Sequence, residues 1–355
     1  MLTYKVFIVH LLEVRVVYQP MVSELPFYYP KVKAYSFVYQ KESDQQGILR
    51  LEIMPLTAEA VISDSKMQYA LKIILHKLFK WCIQSRLGYK KKAKHDVLVP
   101  KEEYQSMYQY IKSKYGTDLV ENWPEKTDPK KFVYEDLAIA SYLLCLWRQE
   151  ESKTHRKPTF IDLGCGNGLL TYLLVKEGYK GYGVDIADRK IWTTLCKDDK
   201  DMLRVQALYP SQEVYPEADW LIGNHADELV PWIPIIASKS GGNCKFMVIP
   251  CCFYGLDGTK NLPLRVIDGQ GKYRAYTDYV KNIASKAGFI CEEDYLRIPS
   301  TKNIAIIGLE QKGKAQKEEL ETMIQLASKK FLPRKTDREK DEERRESKKL
   351  KLENS

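Results

Sequence analysis

The chain has no apolar run long enough to form a bilayer-spanning helix, so no membrane role is expected. It also lacks a clean apolar opening followed by a small-residue cleavage site. The first residues, MLTYKVFIVHLLEVRVV, are broken by Lys5, His10, Glu13 and Arg15 and read as a strand or core segment instead of a signal peptide. None of the eight cysteines (Cys82, Cys145, Cys165, Cys196, Cys244, Cys251, Cys252, Cys291) forms a C-x-x-C pair. Cys251 and Cys252 are adjacent but have few ligand-type neighbours in sequence. The expectation is a reducing compartment, the cytoplasm, with no disulfide frame and no metal site. The last forty or so residues are poor in large apolar side chains. They are expected to form a helix with a solvated tail that buries no core.

The 355 residues suffice for one large domain or two small ones. A net charge of +9 favours a polyanionic partner, though only weakly. Residues 1–125 read as an α+β extension. Within it, VKAYSFVYQ and GILRLEIM are two strands, MQYALKIILHKLFKWCIQSR is an amphipathic helix, and PKEEYQSMYQYIKSKYG is a second helix opened by proline and stopped by glycine. From residue 126 to 311 strands alternate with helices. That pattern predicts a doubly wound, Rossmann-like α/β sheet, and the last hairpin, CEEDYLRIPSTKNIAIIGLE, supplies a closing antiparallel strand. Residues 312–355 are the charged tail.

FIDLGCGNGLL places three glycines in five positions directly after a buried strand. Gly164 and Gly166 let the chain turn and come close to a ligand, and Gly168 lets the following helix pack on its strand. The turn lies at the carboxyl edge of the sheet, where α/β folds bind ligands. Asp162 stands inside the motif, suited to an ammonium group, and Asp185 ends the next strand 21 positions after Gly164, suited to two ribose hydroxyls. An acid at the first position of D-x-G-x-G-x-G would repel a dinucleotide pyrophosphate, so the pattern favours S-adenosyl-L-methionine over a nicotinamide cofactor. Cys165 and Ile186 flank these residues, Gln206 at the end of the third strand is a candidate for the adenine amino group, and Gly223 and Asn224 end the fourth strand at the same edge.

KFVYEDLAIASYL, the glycine segment through DIADRKIW, ADWLIGNHADELVPWIPIIA, FMVIPCCFYG and YRAYTDYVKNIASKAGF together resemble a known family, the eukaryotic tRNA (uracil-2′-O-)-methyltransferases acting on serine tRNA. The likeness spans roughly residues 130 to 310, with LPFYYPKVKAYSFVY nearer the start. It implies a seven-stranded class I methyltransferase sheet and transfer of a methyl group to the ribose 2′-hydroxyl of a uridine beside the extra arm. The Cys/His segment that some members carry towards the C-terminal end has no counterpart here, so a shortened form is expected. Alternative readings are methylation of a protein or small molecule, or a catalytically silent subunit that keeps the fold.

A 2′-hydroxyl is a poor acid, so such a site needs a base or an alkoxide-stabilising group. GNHADEL offers Asn224 to orient the substrate, His225 as a base, and Asp227 as either base or helix cap; Glu228 reads as a cap. Lys245, at a strand start, lies at the wrong edge. Cys252 reads as buried packing, with a nucleophile of the kind used for carbon-5 methylation of pyrimidines as the alternative. Arg86, Lys90, Lys91, Lys92 and Lys94 cluster with Tyr89 and His95, a composition suited to RNA phosphates. The sequence leaves the oligomeric state open.

Overall fold

A computed structural model describes residues 3–10, 13–20, 30–44, 46–56, 65–88, 94–241, 243–266, 271–312, 316–334, 339 and 345. The chain divides into two compact units, Met1–Lys92 and Ala93–Ser355.

In the first unit, strands β1 (Thr3–His10), β2 (Glu13–Pro20), β3 (Val32–Lys41) and β4 (Gly47–Pro55) form an antiparallel meander in sequence order. The opening segment, read from sequence as one strand or core piece, is thus a hairpin. In β3 Val32, Ala34, Ser36, Phe37 and Val38 are buried, and Val32 packs with Met67 and Ala70 from the helical segment that follows. That segment runs through α1 (Ser65–Tyr69), a π-helical turn and α2 (Leu75–Arg86). Glu13 and Arg15 of β2 pair with Arg50 and Glu52 of β4 across the intervening β3, a four-membered network of opposite charges on one face of the sheet.

The second unit begins with α3 (Lys101–Ile111), α4 (Thr117–Glu121) and α5 (Pro129–Thr154). Asp128 caps α5 by accepting from the Lys130 N–H at 3.0 Å, with Pro129 in the first turn, where a missing N–H costs nothing. Then follow β5 (Phe160–Leu163), α6 (Leu169–Lys176), β6 (Gly181–Asp185), α7 (Trp192–Leu195), β7 (Leu203–Val205), β8 (Trp220–Asn224), α8 (Ile233–Lys239), β9 (Lys245–Ile249), α9 (Lys272–Lys286), β10 (Ile290–Tyr295), β11 (Ile304–Glu310) and α10 (Lys317–Ser328). The seven strands lie in the order β10-β11-β9-β8-β5-β6-β7. Pairing is parallel among β5 to β9, and β11 runs antiparallel to β9 and β10. Strand order reverses between β5 and β8, which places the carboxyl ends of those two strands at the ligand-binding crevice. One core layer joins α3, α5 and α6 to one face around Trp147, Phe160 and Trp220; the other joins α8, α9 and α10 to the opposite face around Trp232, Phe246 and Tyr276.

Three sequence expectations change. The division falls between Lys92 and Ala93 and not near 125, because α3 buries Tyr104, Met107 and Ile111 in the same core as α5. Asp294 reinforces this by accepting from the Val97 and Leu98 N–H groups and from the Tyr142 hydroxyl. The helix for which Asp227 and Glu228 read as caps is split into a 3-10 turn, Asp227–Leu229, and α8, since Pro231 lacks the N–H a continuous helix needs. The charged tail does bury apolar groups: Leu320 and Ala327 of α10, and Phe331, whose ring meets Trp232 edge-on at 6.0 Å. Among the described residues no helix is long and apolar enough to cross a membrane.

Ile111 is fully buried, so Ile111→Ala is expected to destabilise the protein by about 2–5 kcal/mol, the usual cost of emptying such a core position. A urea midpoint indistinguishable from wild type would place α3 outside the core.

Candidate active site

At the end of β5 the backbone runs left-handed at Gly164, Gly166 and Gly168, with φ of 75°, 55° and 75°. A side chain at these positions would strain the turn. Above Gly166 there is open space for 4 Å around the place a Cβ would occupy, so a ligand can lie directly on the backbone. The turn is pinned from the next strand: Asp185 accepts from the Gly166 N–H at 2.8 Å, and the Val184 carbonyl accepts from Gly164 and Cys165. Asn167 Oδ1 accepts from the Leu169 N–H at 2.7 Å and so closes the first turn of α6.

Two cavities meet at Gly164 and His225. The first is lined by Asp185, Ile186, Gln206 and Leu208 on one side and by Asp227, Glu228, Pro333 and Arg334 on the other. The second is lined by Glu135, Asp136, Asp162, Cys165, Gly166, Asn167, Asn224 and His225, with Lys131, Phe132 and Ser300 at its rim. Of the sequence-chosen cofactor residues, Asp162, Gly164, Cys165, Gly166, Asp185, Ile186, Gln206 and Asn224 therefore share one crevice. Gly168 and Gly223 face packing neighbours instead: a Cβ on Gly168 would meet Leu203, and one on Gly223 would meet Ile233.

Asp162 is buried, and its Oδ2 accepts from the Thr171 hydroxyl at 2.9 Å while Oδ1 has no partner. Burial pushes its carboxyl up to about 7 against the pull of the Thr171 hydrogen bond. Asp136, from α5, is also pushed up to about 7 by burial; it accepts from Asn167 Nδ2 and Asn224 Nδ2, each at 3.2 Å. Asn224 Oδ1 is buried and unbonded. A cation brought to this crevice would satisfy the free Asp162 oxygen and favour its ionised form. The orphaned acceptors and the bare glycine backbone fit the ammonium and sulfonium end of S-adenosylmethionine.

His225 Nε2 lies 2.9 Å from Glu135 Oε1. His225 and Asp227 both have left-handed backbones, with φ of 54° and 46°. Such strain at non-glycine residues gathers where a site must be held in one shape. Asp227 is engaged twice, by Arg334 and, at 3.6 Å, by the Cys251 thiol. Neither Asp227 nor Glu228 caps the short helix they open. Glu228 Oε2 instead faces the Arg334 guanidinium at 3.8 Å. Asp227 also brings a third ligand-type group beside Cys251 and Cys252, which have few such neighbours in sequence. Lys245 pairs with Glu150 at 2.5 Å, away from the crevice, as its strand-start position implied. Of the basic cluster, Arg86 donates to the Asp44 carbonyl and Lys94 accepts through its carbonyl from the Tyr295 N–H; Tyr89, Lys90, Lys91 and Lys92 lie outside the described residues.

Sequence reasoning missed Glu135, Asp136, Asn167 and Arg334. Glu135 and Asp136 carried a signal: two acids inside the apolar run of FVYEDLAIASYLLCLW. Arg334 carried none.

Comparison with known proteins adds two family models. One described as "TRM44-like, N-terminal bet v1-like domain" matches residues 5–92, and one described as "Predicted AdoMet-dependent methyltransferase" matches residues 98–210. The "Probable tRNA (uracil-O(2)-)-methyltransferase" of Xenopus laevis is 43% identical over 266 residues, covering 73% of this chain and 39% of its own length. The protein of the same name from Mus musculus is 46% identical over 238 residues, covering 66% of this chain and 32% of its own. The "tRNA (uracil-O(2)-)-methyltransferase" of Schizosaccharomyces pombe is 37% identical over 316 residues, covering 81% and 62%. The chain thus spans about a third to three fifths of the length of these relatives.

Asp162 generates a pH test. A carboxyl raised from 3.8 to about 7 on folding contributes stability that is present below pH 3.8 and lost as the pH rises through 7. Urea unfolding of Asp162→Asn should therefore gain on wild type steadily across that window. A stability difference that does not change with pH would show the group to be unshifted.

Proposed function

The chain is a relative of the eukaryotic tRNA (uracil-O(2)-)-methyltransferases, and on that premise we propose that it methylates the ribose 2′-hydroxyl of a uridine in tRNA, serine tRNA being the substrate, as a cytoplasmic enzyme. The observation that carries the reading is the two joined cavities, one fitting an adenosyl group and the other bringing a histidine–glutamate pair beside the methionine pocket. S-adenosylmethionine, when bound, supplies an electrophilic methyl group. Asp162 and the turn from Gly164 to Gly166 would hold its methionine end, Asp185 its ribose, and Ile186, Gln206 and Leu208 its adenine.

The protein's own chemical task is then to take the hydroxyl proton. With Nε2–H donating to Glu135, His225 keeps the Nδ1 lone pair free to accept it. Glu135 fixes that tautomer. Asp227 is held by Arg334 and serves to shape the crevice. Asn224 is fixed through Nδ2 by Asp136, which leaves its carbonyl oxygen to orient the acceptor. Burial raises both the Cys251 and Cys252 thiols, a setting that disfavours thiolate attack on a pyrimidine ring and favours oxygen methylation. The segment Arg86 to Lys94 supplies cations for the tRNA backbone.

The protein, incubated with unmodified serine tRNA and labelled cofactor, should place one ribose methyl on a uridine, mapped by nuclease digestion and mass spectrometry. His225→Gln should lower kcat by roughly 10²–10⁴-fold, the range for loss of a general base, with cofactor affinity unchanged. A methyl found on the base, or full turnover by that variant, would overturn the assignment.

A further inference from the structure

Strands β8 and β9 are parallel neighbours, and the turns that follow them bring three ligand-type atoms together. Asp227 Oδ1 lies 3.6 Å from Cys251 Sγ, and Cys251 Sγ lies 3.6 Å from Cys252 Sγ. The ligand atoms of all three residues lie within 4.8 Å of one another. A tetrahedral ion with Zn–S bonds of ~2.3 Å and Zn–O bonds of ~2.0 Å has S···S edges of about 3.8 Å and S···O edges of about 3.5 Å. Both separations lie within about 0.2 Å of those edges. As hydrogen bonds they are long and weak, since a thiol is a poor donor.

We infer that Asp227, Cys251 and Cys252 form a site for one thiophilic divalent cation of the zinc type, with its fourth position open to water. Sulfur ligands select zinc over magnesium or calcium. On binding, each thiol releases its proton to solvent and a thiolate–metal bond replaces it. The two thiolates and the carboxylate then carry three negative charges against the two of the metal. Arg334, already paired with Asp227, balances the remainder and orients the carboxylate as an outer-sphere partner. The ion would join the exit of β8, which carries Asn224 and His225, to the exit of β9. This inference rests on the cluster geometry and stands apart from the methyl-transfer reading.

The full chain, stripped of metal under reducing conditions, is titrated with Zn²⁺ and separately with Co²⁺. One equivalent of zinc per chain by elemental analysis is expected. With cobalt, thiolate-to-metal charge transfer and the intense visible bands of a tetrahedral ion should appear. Cys251→Ser with Cys252→Ser should abolish both, whereas Cys196→Ser should leave both intact. Arg334→Gln should weaken zinc binding about 10-fold or more, as loss of an outer-sphere partner does elsewhere. If the double variant fails to fold by circular dichroism, Asp227→Asn decides: the cobalt charge-transfer band should persist while the visible bands shift. No metal uptake by the folded wild-type chain overturns the inference, as does uptake unchanged in the double variant or a cobalt spectrum unchanged in Asp227→Asn. Finding Cys251 and Cys252 bonded to each other under those reducing conditions would overturn it too.

Discussion

Two carboxyl groups buried beneath one glycine turn govern the shape of the cofactor edge. Asp136 and Asp162 sit where water cannot solvate them, and an unpaired buried acid is costly, so each is tied by hydrogen bonds to whatever lies near. Asp162 takes the Thr171 hydroxyl and thereby couples β5 to α6. Asp136 takes Asn167 from the turn and Asn224 from the end of β8. A single side chain on α5 therefore sets the spacing between the glycine turn and the neighbouring strand exit. The partners are too few for full satisfaction, and the unbonded oxygens of Asp162 and Asn224 are what give the crevice its appetite for a cation and a donor.

The fold was legible because its pattern is local. Alternation of apolar strands with helices, and a glycine turn after the first of them, require no knowledge of distant contacts. The cofactor half of the site was legible for the same reason: Asp162, the glycines and Asp185 lie on two consecutive strands. What escaped depends on packing between segments far apart in sequence. Arg334 reaches Asp227 across 107 positions, and Glu135 reaches His225 across 90. The domain boundary escaped because α3 shows its apolar face only once α5 is there to receive it.

The tail shows how composition can mislead. A segment dense in charge was expected to bury nothing, yet Leu320, Ala327 and Phe331 are spaced to meet α9 and Trp232, with the charges of α10 turned outward. A few apolar side chains at helical intervals are enough to dock a helix when a hydrophobic surface already exists. Cys251 and Cys252 teach the converse. Ligand-type neighbours along the chain are few, and the parallel pairing of β8 with β9 brings Asp227 beside the two thiols.

The crevice is lined by residues that range from Lys131 to Arg334 in the sequence. This has a consequence for synthesis. During synthesis the wall made by Pro333 and Arg334 arrives only some two hundred residues after Lys131. Until then Asp227 and Glu228 stand as neighbouring acids with no guanidinium between them. Completion of the pocket thus waits on a residue 107 positions beyond the acid it pairs with.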